Sequence, residues 1–303
     1  MLRVEQISKS FGQIRAVDGV SFALEPGTIT ILAGADGAGK STILKMILGL
    51  VAKDSGEIYL SGKPVGKRFE RITEVTGYMP ERFSLYPDLN VEENLNFYSD
   101  IHQVSRPRRE QMKNRLLEKT GMLPFKKRRA GALSGGMKQK LALSSILLAF
   151  PEIIILDEPT TGVDPLSRIE FFSIIQELKE EGKTIIMATP YLDEAEKGDK
   201  VIFIKDGMVL REGSIASLKE TFPARLFRIL PEGNILEVME RLQKNPDIKE
   251  DIYIRGRYIK YLQREKSLLL ELIPSREIQE ESPTLEDIYI YYERMGHVVS
   301  RAE

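Results

Sequence analysis

The chain has 303 residues, with 44 Lys plus Arg against 45 Asp plus Glu and a net charge of −1. It contains no cysteine and no tryptophan, and its only histidines are His102 and His297. Disulfides, thiolate zinc sites and cysteine nucleophiles are therefore excluded, imidazole chemistry is confined to two positions, and the near-neutral balance gives no general pull toward nucleic acid or anionic membrane.

At about 150 residues per domain, one large domain or two unequal ones is expected. A hydrophobic fraction of 42% with 29% charge is that of a soluble globular chain. The first residues, MLRVEQISKSFG, carry charge and no apolar targeting core. The longest apolar stretch, near 141–150, is interrupted by Ser144 and Ser145 and is about half of the ~20 residues that a membrane helix needs. If the protein works at a membrane, other chains are expected to span it.

In chain order, short β-branched or alternating runs at 2–7, 20–24, 28–32 and 57–60 read as strands, separated by turn signals such as Pro26-Gly27 and Ser55-Gly56. Between them, 40–50 places Ile43, Leu44, Ile47 and Leu48 at helical spacing. The block from about 83 to 150 reads as mostly helical, with apolar faces in 91–101 and 111–119. Its basic clusters, 106–109 and 126–129, are read as solvated helix ends and loops, with a phosphate or headgroup contact as the alternative. Strand and helix then alternate. The run 153–156 is fully apolar, as in a parallel strand buried on both faces; 169–179 is an amphipathic helix and 184–188 a second apolar strand. Residues 201–205 and 208–211 form a hairpin across Asp206-Gly207. After Phe222-Pro223 a small α+β unit is expected: a strand at 224–230, a helix at 234–243, a hairpin of 251–254 with 258–262, a strand at 268–272, and a last helix starting at Ser282-Pro283-Thr284.

Gly34-Ala35-Asp36-Gly37-Ala38-Gly39-Lys40-Ser41 fits the P-loop pattern and lies between a predicted strand and a predicted helix, the context its mechanism requires. Glycines let backbone N–H groups turn inward around phosphate oxygens, and the helix N-terminus adds positive dipole. Residues Gly34 to Ser41, with Thr42, form the expected nucleotide-binding set. Lys40 is expected to reach the terminal phosphates and Ser41 to ligate Mg²⁺. The run Ile153-Ile154-Ile155-Leu156-Asp157-Glu158 supplies the second half. Asp157 is placed to hold Mg²⁺, and Glu158 to act as general base on the attacking water. This order points to nucleoside triphosphate hydrolysis.

At this point the chain resembles the ATP-binding cassette (ABC) transporter ATPases over about residues 1–220. Leu133-Ser134-Gly135-Gly136-Met137-Lys138-Gln139 matches the family's signature sequence, about a hundred residues after the P-loop and just before the Asp-Glu strand. The resemblance implies that Ser134, Gly135, Gly136 and Gln139 contact ATP held by a partner ATPase. Thr161-Gly162-Val163-Asp164-Pro165 resembles the D-loop that crosses the dimer interface through Asp164. Phe11 matches the aromatic that stacks on adenine, although taken by itself it reads as core or turn packing. The fold implied is α/β, a P-loop (RecA-like) core with an antiparallel β subdomain and an inserted helical subdomain at about 83–150, followed by a small α+β domain over 221–303.

Two departures from the family stand out. In Met187-Ala188-Thr189-Pro190-Tyr191 the position of the switch histidine holds Pro190, which has no side-chain donor and no backbone N–H; Thr189 would have to reach differently. In Gly77-Tyr78-Met79-Pro80-Glu81 the family's usual Gln is Glu81, read as a feature of the drug and polysaccharide export branch and still able to offer oxygen to Mg²⁺. Asp36 adds a further acidic group. With a signature to lend and no switch residue of its own, the chain is expected to pair with a second ATPase and to turn over slowly at its own site; a homodimer in which Thr189, Tyr191 or water takes over is the alternative. The resemblance further implies ATP and Mg²⁺ as ligands, integral membrane permease subunits as separate chains, a cytoplasmic location on the membrane face, and export. Leu85, Tyr86 and Phe83 are candidates for the permease contact, or ordinary core. Pro283-Thr284-Leu285-Glu286-Asp287-Ile288-Tyr289 resembles a terminal motif of exporter ATPases, with a regulatory or dimer-stabilising role implied. A single P-loop, no sustained heptads and a net charge of −1 argue against a ribosome- or DNA-acting relative. A nucleotide-binding regulator outside transport shares every binding residue and stays open.

Overall fold

The computed structural model describes residues 1–66, 69–82, 85–246, 248–249, 251–263 and 275–295. Phe83, His297 and the strand expected at 268–272 lie outside them. The chain divides into two units, Met1–Val209 and Leu210–Glu303.

In the first unit, β1 (Leu2–Phe11) pairs antiparallel with β2 (Ile14–Ala23), with Phe11 opposite Ile14 at the turn. β3 (Ile29–Ala33) follows, then α1 (Lys40–Ile47), β4 (Ser55–Leu60), the short β5 (Lys63–Pro64), α2 (Glu70–Val75) and β6 (Thr76–Met79). A helical insertion comes next, formed by α3 (Val91–Ile101), α4 (Arg106–Lys119) and α5 (Gly135–Leu147). It is followed by β7 (Ile153–Asp157), α6 (Pro165–Glu180), β8 (Thr184–Thr189), α7 (Leu192–Ala195), β9 (Lys200–Lys205) and β10 (Met208–Ser214), inside which the division between the units falls.

Two sheets result. One is antiparallel, in the order β2-β1-β4-β5; the other has six strands in the order β10-β9-β3-β8-β7-β6. In the second, β3 runs parallel to β8 and β9, and β7 runs parallel to β8 and β6. All residues of β3 and β7 are buried, which fits sequences that are apolar apart from Thr30 and the terminal Asp157. Ile43, Leu44, Met46 and Ile47 of α1 join the same core, against Ile155, Ile186 and Ile202. The register sets Ala33 beside Thr189 and Asp157 beside Ala188. The carboxyl ends of β3, β7 and β8, where open α/β sheets bind ligands, therefore meet at one edge.

Most of the apolar stretch near 141–150 forms the second half of α5, which ends at Leu147. Residues Leu141 to Leu147 are all buried, and the two serines satisfy themselves by donating to carbonyls one turn back, Ser144 to Lys140 and Ser145 to Leu141. Among the described residues no helix is long and apolar enough to cross a membrane. The cluster 106–109 is a helix end, the first turn of α4, with Pro107 in a favoured early position. The cluster 126–129 is held by Glu92 in the first turn of α3. Lys127 and Lys126 lie 2.8 and 2.9 Å from its carboxylate, and the buried Lys113 lies 3.4 Å away.

Hydrogen bonds from Lys127 and Lys126 hold the Glu92 carboxyl down at about 2. Because this is below the ordinary value of 4.5, the stabilisation is complete above 4.5 and is lost as pH falls through about 2. Lys127 is 79% exposed, so solvent screening trims the contribution to about 1 kcal/mol. Glu92→Gln should therefore cost about 1 kcal/mol at pH 7 and progressively less as the acid limit is approached. Urea unfolding at several pH values checks this, and a cost independent of pH would contradict it.

After the end of β10, the second unit continues with α8 (Ile215–Glu220), β11 (Arg225–Pro231), α9 (Ile235–Gln243), β12 (Ile252–Arg255), β13 (Tyr258–Gln263), β14 (Ser275–Glu281) and α10 (Leu285–Met295). Its antiparallel sheet runs β12-β13-β11-β14. Strand alternation splits the apolar residues between two faces. Phe227, Ile229, Ile252 and Ile259 pack on Val238, Met239 and Leu242 of α9, while Leu226, Tyr253 and Leu262 pack with Tyr291 of α10.

Candidate nucleotide site

The P-loop follows β3 and enters α1. Its tip, Ala35, Asp36 and Gly37, is exposed, whereas Gly34 and Ala38 are buried. Two glycines are required by close approach. A Cβ on Gly34 would lie 2.1 Å from the carbonyl oxygen of Ile204, and one on Gly39 would lie 2.4 Å from that of Ala16. Gly39 also has φ 103 as the N-cap of α1, a conformation that glycine alone adopts without strain. Ala38 N donates to Ala35 O at 3.1 Å, and Gly34 N to Thr189 O at 3.4 Å, so the loop is tied to the end of β8. Thr42, half-buried, sits in the first turn of α1.

Lys40 is 3% exposed. Its ammonium donates to Gly34 O at 2.8 Å and Ala35 O at 3.0 Å, and lies 3.6 Å from Glu158 Oε1. Ser41 Oγ donates to Asp157 Oδ1 at 2.7 Å. Tyr78, on β6, donates its hydroxyl to Asp157 Oδ2 at 3.3 Å. Burial raises the Asp157 carboxyl, while the hydrogen bonds of Ser41 and Tyr78 and the charge of Lys45 pull it back. Burial, followed by the negative charge of Asp157, pushes the Tyr78 phenol upward. The Tyr78 contact was not anticipated from sequence. Its only signal is that a strand at 76–79 lies beside β7, with Tyr78 opposite Ile155.

Glu158 has φ 50, in the left-handed region that a non-glycine residue occupies only under constraint. The constraint is visible: Glu158 N donates to Ala188 O at 3.0 Å, and Thr161 N donates to Glu158 O at 3.3 Å. Burial raises its carboxyl; Lys40 opposes this, and the charges of Asp36, Glu81 and Asp157 add to it. Glu81 is exposed and makes itself felt as charge on Tyr78, Asp157 and Glu158. With Arg82, Leu85 and Gln139 it lines a cavity of about 280 Å³.

The signature and D-loop residues have local work as well. Ser134 caps α5 by accepting from Met137 N at 3.3 Å. Gly136 permits the packing of α5 on α6, since a Cβ there would fall 2.3 Å from Ser167 Cβ. Gly135 and Ser134 are exposed, and Gln139 is half-buried. Asp164 caps α6 through Ser167 N at 2.9 Å, and the Ser167 hydroxyl first, then that backbone bond, hold its carboxyl below the usual range. Phe11 is 50% exposed, with Lys9 Nζ 5.4 Å from its ring centroid, so it is not a core residue. Of the candidate permease contacts, Leu85 lines the cavity above. Tyr86 is 44% exposed and packs edge-on to Phe97 at 4.4 Å.

At the end of β8 the hydroxyl of Thr189 is already engaged. It donates to Glu194 Oε2 at 2.6 Å and accepts from Tyr191 N at 3.1 Å. Pro190 follows, half-buried, with no donor of its own.

A family model described as ABC transporter matches residues 17–161. The probable multidrug ABC transporter ATP-binding protein YbhF of Escherichia coli is 38% identical over 282 residues, covering 91% of this chain and 48% of YbhF. The chain thus spans about half the length of that relative. The linearmycin resistance ATP-binding protein LnrL of Bacillus subtilis is 35% identical over 219 residues, 72% of this chain and 70% of LnrL. The Nod factor export ATP-binding protein I of Paraburkholderia xenovorans is 36% identical over 218 residues, 72% of each chain. Among solved structures, an ATP-binding subunit of an ABC transporter superposes with a TM-score of 0.65 at 29% identity, over 73% of this chain and 93% of the other. A dimeric ATP-binding cassette bound to ADP and Pi gives 0.63 at 26% identity, over 71% and 98%. With P-loop, signature and Asp-Glu strand assembled on that fold, the chain belongs to the ABC transporter ATP-binding proteins.

Proposed function

We propose that this chain is the ATP-binding and hydrolysing subunit of an ABC exporter, peripheral on the cytoplasmic face of the membrane, with the spanning done by separate permease subunits. The relatives named for multidrug transport, linearmycin resistance and Nod factor export support the export direction. Co-purification with a polytopic membrane protein tests it; recovery of the chain with ribosomes or nucleic acid instead would overturn it.

In this reading the P-loop amides and Lys40 bind the phosphates, and Phe11 stacks on the base. The oxygen donors fit Mg²⁺: Ser41 Oγ and Asp157 Oδ1 already lie together, 2.7 Å apart, with Glu81 charge nearby. Among the described residues no group of three acidic or imidazole side chains forms a metal cage. That agrees with an ion held by one or two protein oxygens together with substrate phosphates. When bound, Mg²⁺ neutralises phosphate charge. Glu158 takes the proton of the attacking water, and its raised carboxyl makes it a better acceptor than an exposed one. Entry of a triphosphate draws Lys40 away from Glu158 and so frees the base. Ser134, Gly135, Gly136 and Gln139 serve the nucleotide of a second ATPase, and Asp164 the interface.

The chain's own site is slow, and one observation carries this: Pro190 occupies the switch position while the neighbouring Thr189 hydroxyl is spent on Glu194. Removing one preorganised donor typically costs about 10²–10³-fold in rate. The purified chain should therefore hydrolyse ATP slowly, and Pro190→His should raise kcat at least about tenfold. Fast turnover by the unmodified chain alone would sink the slow-site reading and favour a homodimer with normal turnover.

A further inference from the structure

Glu194 is a carboxylate in a position that disfavours one. Its side chain is 1% exposed, and a buried charge persists only where it is well partnered. Three groups converge on it. Thr160 Oγ1 donates to Oε1 at 2.5 Å, Thr189 Oγ1 donates to Oε2 at 2.6 Å, and Arg168 Nε lies 3.4 Å from Oε1. Burial pushes the carboxyl upward, and the two hydroxyls and the guanidinium pull it back.

Each partner belongs to a different part of the nucleotide site. Thr160 lies in the turn that starts at the strained Glu158, and its carbonyl accepts from Val163 N at 3.1 Å. Thr189 ends β8, and its carbonyl accepts from Gly34 N of the P-loop at 3.4 Å. Arg168 stands one turn into α6 from Asp164, and its guanidinium lies 4.7 Å from the Tyr191 ring centroid. Beyond the last register pair of β7 and β8, Asp157 beside Ala188, one main-chain bond follows, Glu158 N to Ala188 O at 3.0 Å. Past that bond, a side-chain link between the base turn and the switch segment runs through the two threonines and this one carboxylate.

We infer that Glu194 is a positioning residue for hydrolysis: by holding Thr160, Thr189 and Arg168 together, it fixes residue 190 relative to Glu158 and ties the helix behind Asp164 to both. It acts through these partners and touches no reacting atom. The inference rests on the reading of Glu158 as base and of position 190 as the switch.

The test uses the full chain in two backgrounds, unmodified and Pro190→His, with ATP turnover, affinity for a fluorescent ATP analogue and melting temperature measured on each. Glu194→Gln keeps the shape and removes the charge and one acceptor. It should lower kcat at least about tenfold with analogue affinity changed less than about twofold and the melting temperature little changed. Thr189→Val should do the same, and Thr189→Ser, which keeps the hydroxyl, should restore the rate. Glu194→Gln combined with Thr189→Val should be no slower than the worse single variant, because both cut one link. An unchanged kcat in Glu194→Gln, or equal losses of kcat, affinity and melting temperature, would overturn the inference. A Pro190→His variant no faster than the unmodified chain refutes the slow-site reading instead. The Glu194 variants in the unmodified background then still decide the positioning role.

Discussion

Glu158→Gln is expected to lower ATP turnover by about 10²–10⁴-fold while ATP binding persists. The substitution keeps the size of the side chain and leaves the turn bonds of the main chain, Glu158 N to Ala188 O and Thr161 N to Glu158 O, as they are. It removes the only property that the proposed role needs, a carboxylate able to take a proton. It also removes a negative charge 3.6 Å from Lys40. With Asp36, Glu81 and Asp157 remaining close by, the loss of one acidic group should leave affinity for a triphosphate equal or higher. The experiment is best read in the Pro190→His background, where the starting rate is high, with fluorescent-nucleotide affinity measured in parallel. A variant that binds ATP normally and retains full turnover would remove Glu158 from the role of base. A variant that fails to bind would instead show that the turn at φ 50 had collapsed.

The contrast between Glu158 and Glu194 shows what a sequence of this kind discloses. The P-loop and the Asp-Glu strand are local patterns: a few adjacent residues, one strand and one helix suffice to place Lys40, Ser41, Asp157 and Glu158, and the structure brings them together in two pairs, Lys40 with Glu158 and Ser41 with Asp157. Buried parallel strands are legible for the same reason, since a strand covered on both faces reads as an unbroken apolar run. Glu194 and Tyr78 carry no such signal. Glu194 sits in the acidic pair Asp193-Glu194, where nothing local in sequence distinguishes it from its neighbour. Only the folding of Thr160 and Thr189 over it makes it an internal charge. Tyr78 depends on β6 lying next to β7, a parallel pairing between residues far apart in sequence. The switch position was visible as a departure from a pattern, but the engagement of Thr189 by Glu194 was not.

The terminal motif makes the same point more sharply, and it carries the second large expected effect. By resemblance, 283–289 implies a regulatory or dimer-stabilising role; within the chain its first task is to start α10. Thr284 and Asp287 form a reciprocal cap, with Thr284 N donating to Asp287 Oδ2 at 2.7 Å and Asp287 N donating to Thr284 Oγ1 at 3.3 Å. Asp287 is fully buried, and its other oxygen accepts the Tyr253 hydroxyl from β12. Arg255, also on β12, donates to Thr284 Oγ1 at 2.9 Å and reaches Glu286 at 2.7 Å. Leu285 and Ile288 are completely buried beside this cluster. One carboxylate therefore fastens the last helix to the edge hairpin of the sheet.

Asp287→Ala would leave the buried Tyr253 hydroxyl and the half-buried Thr284 N and Oγ1 without this acceptor. Hydrogen bonds to a charged group are worth about 1.5–3 kcal/mol each and do not add fully. Arg255 is 41% exposed and keeps Glu286, so its loss is discounted. A cost of about 3 kcal/mol to the second unit follows. At about 4–8 °C per kcal/mol for a unit of this size, the melting transition of that unit should fall by about 15 °C. Asp287→Asn, which keeps one acceptor, should cost less. Because the capping cluster lies wholly within the second unit, fluorescent-ATP affinity of the P-loop should be unchanged at temperatures below the lowered transition. Calorimetry with parallel nucleotide titration checks both halves. A melting profile unaltered by Asp287→Ala would show that the cap contributes nothing to the fold of the second unit and would return the motif to an intermolecular role. A lost ATP site at low temperature would show that the second unit supports the first.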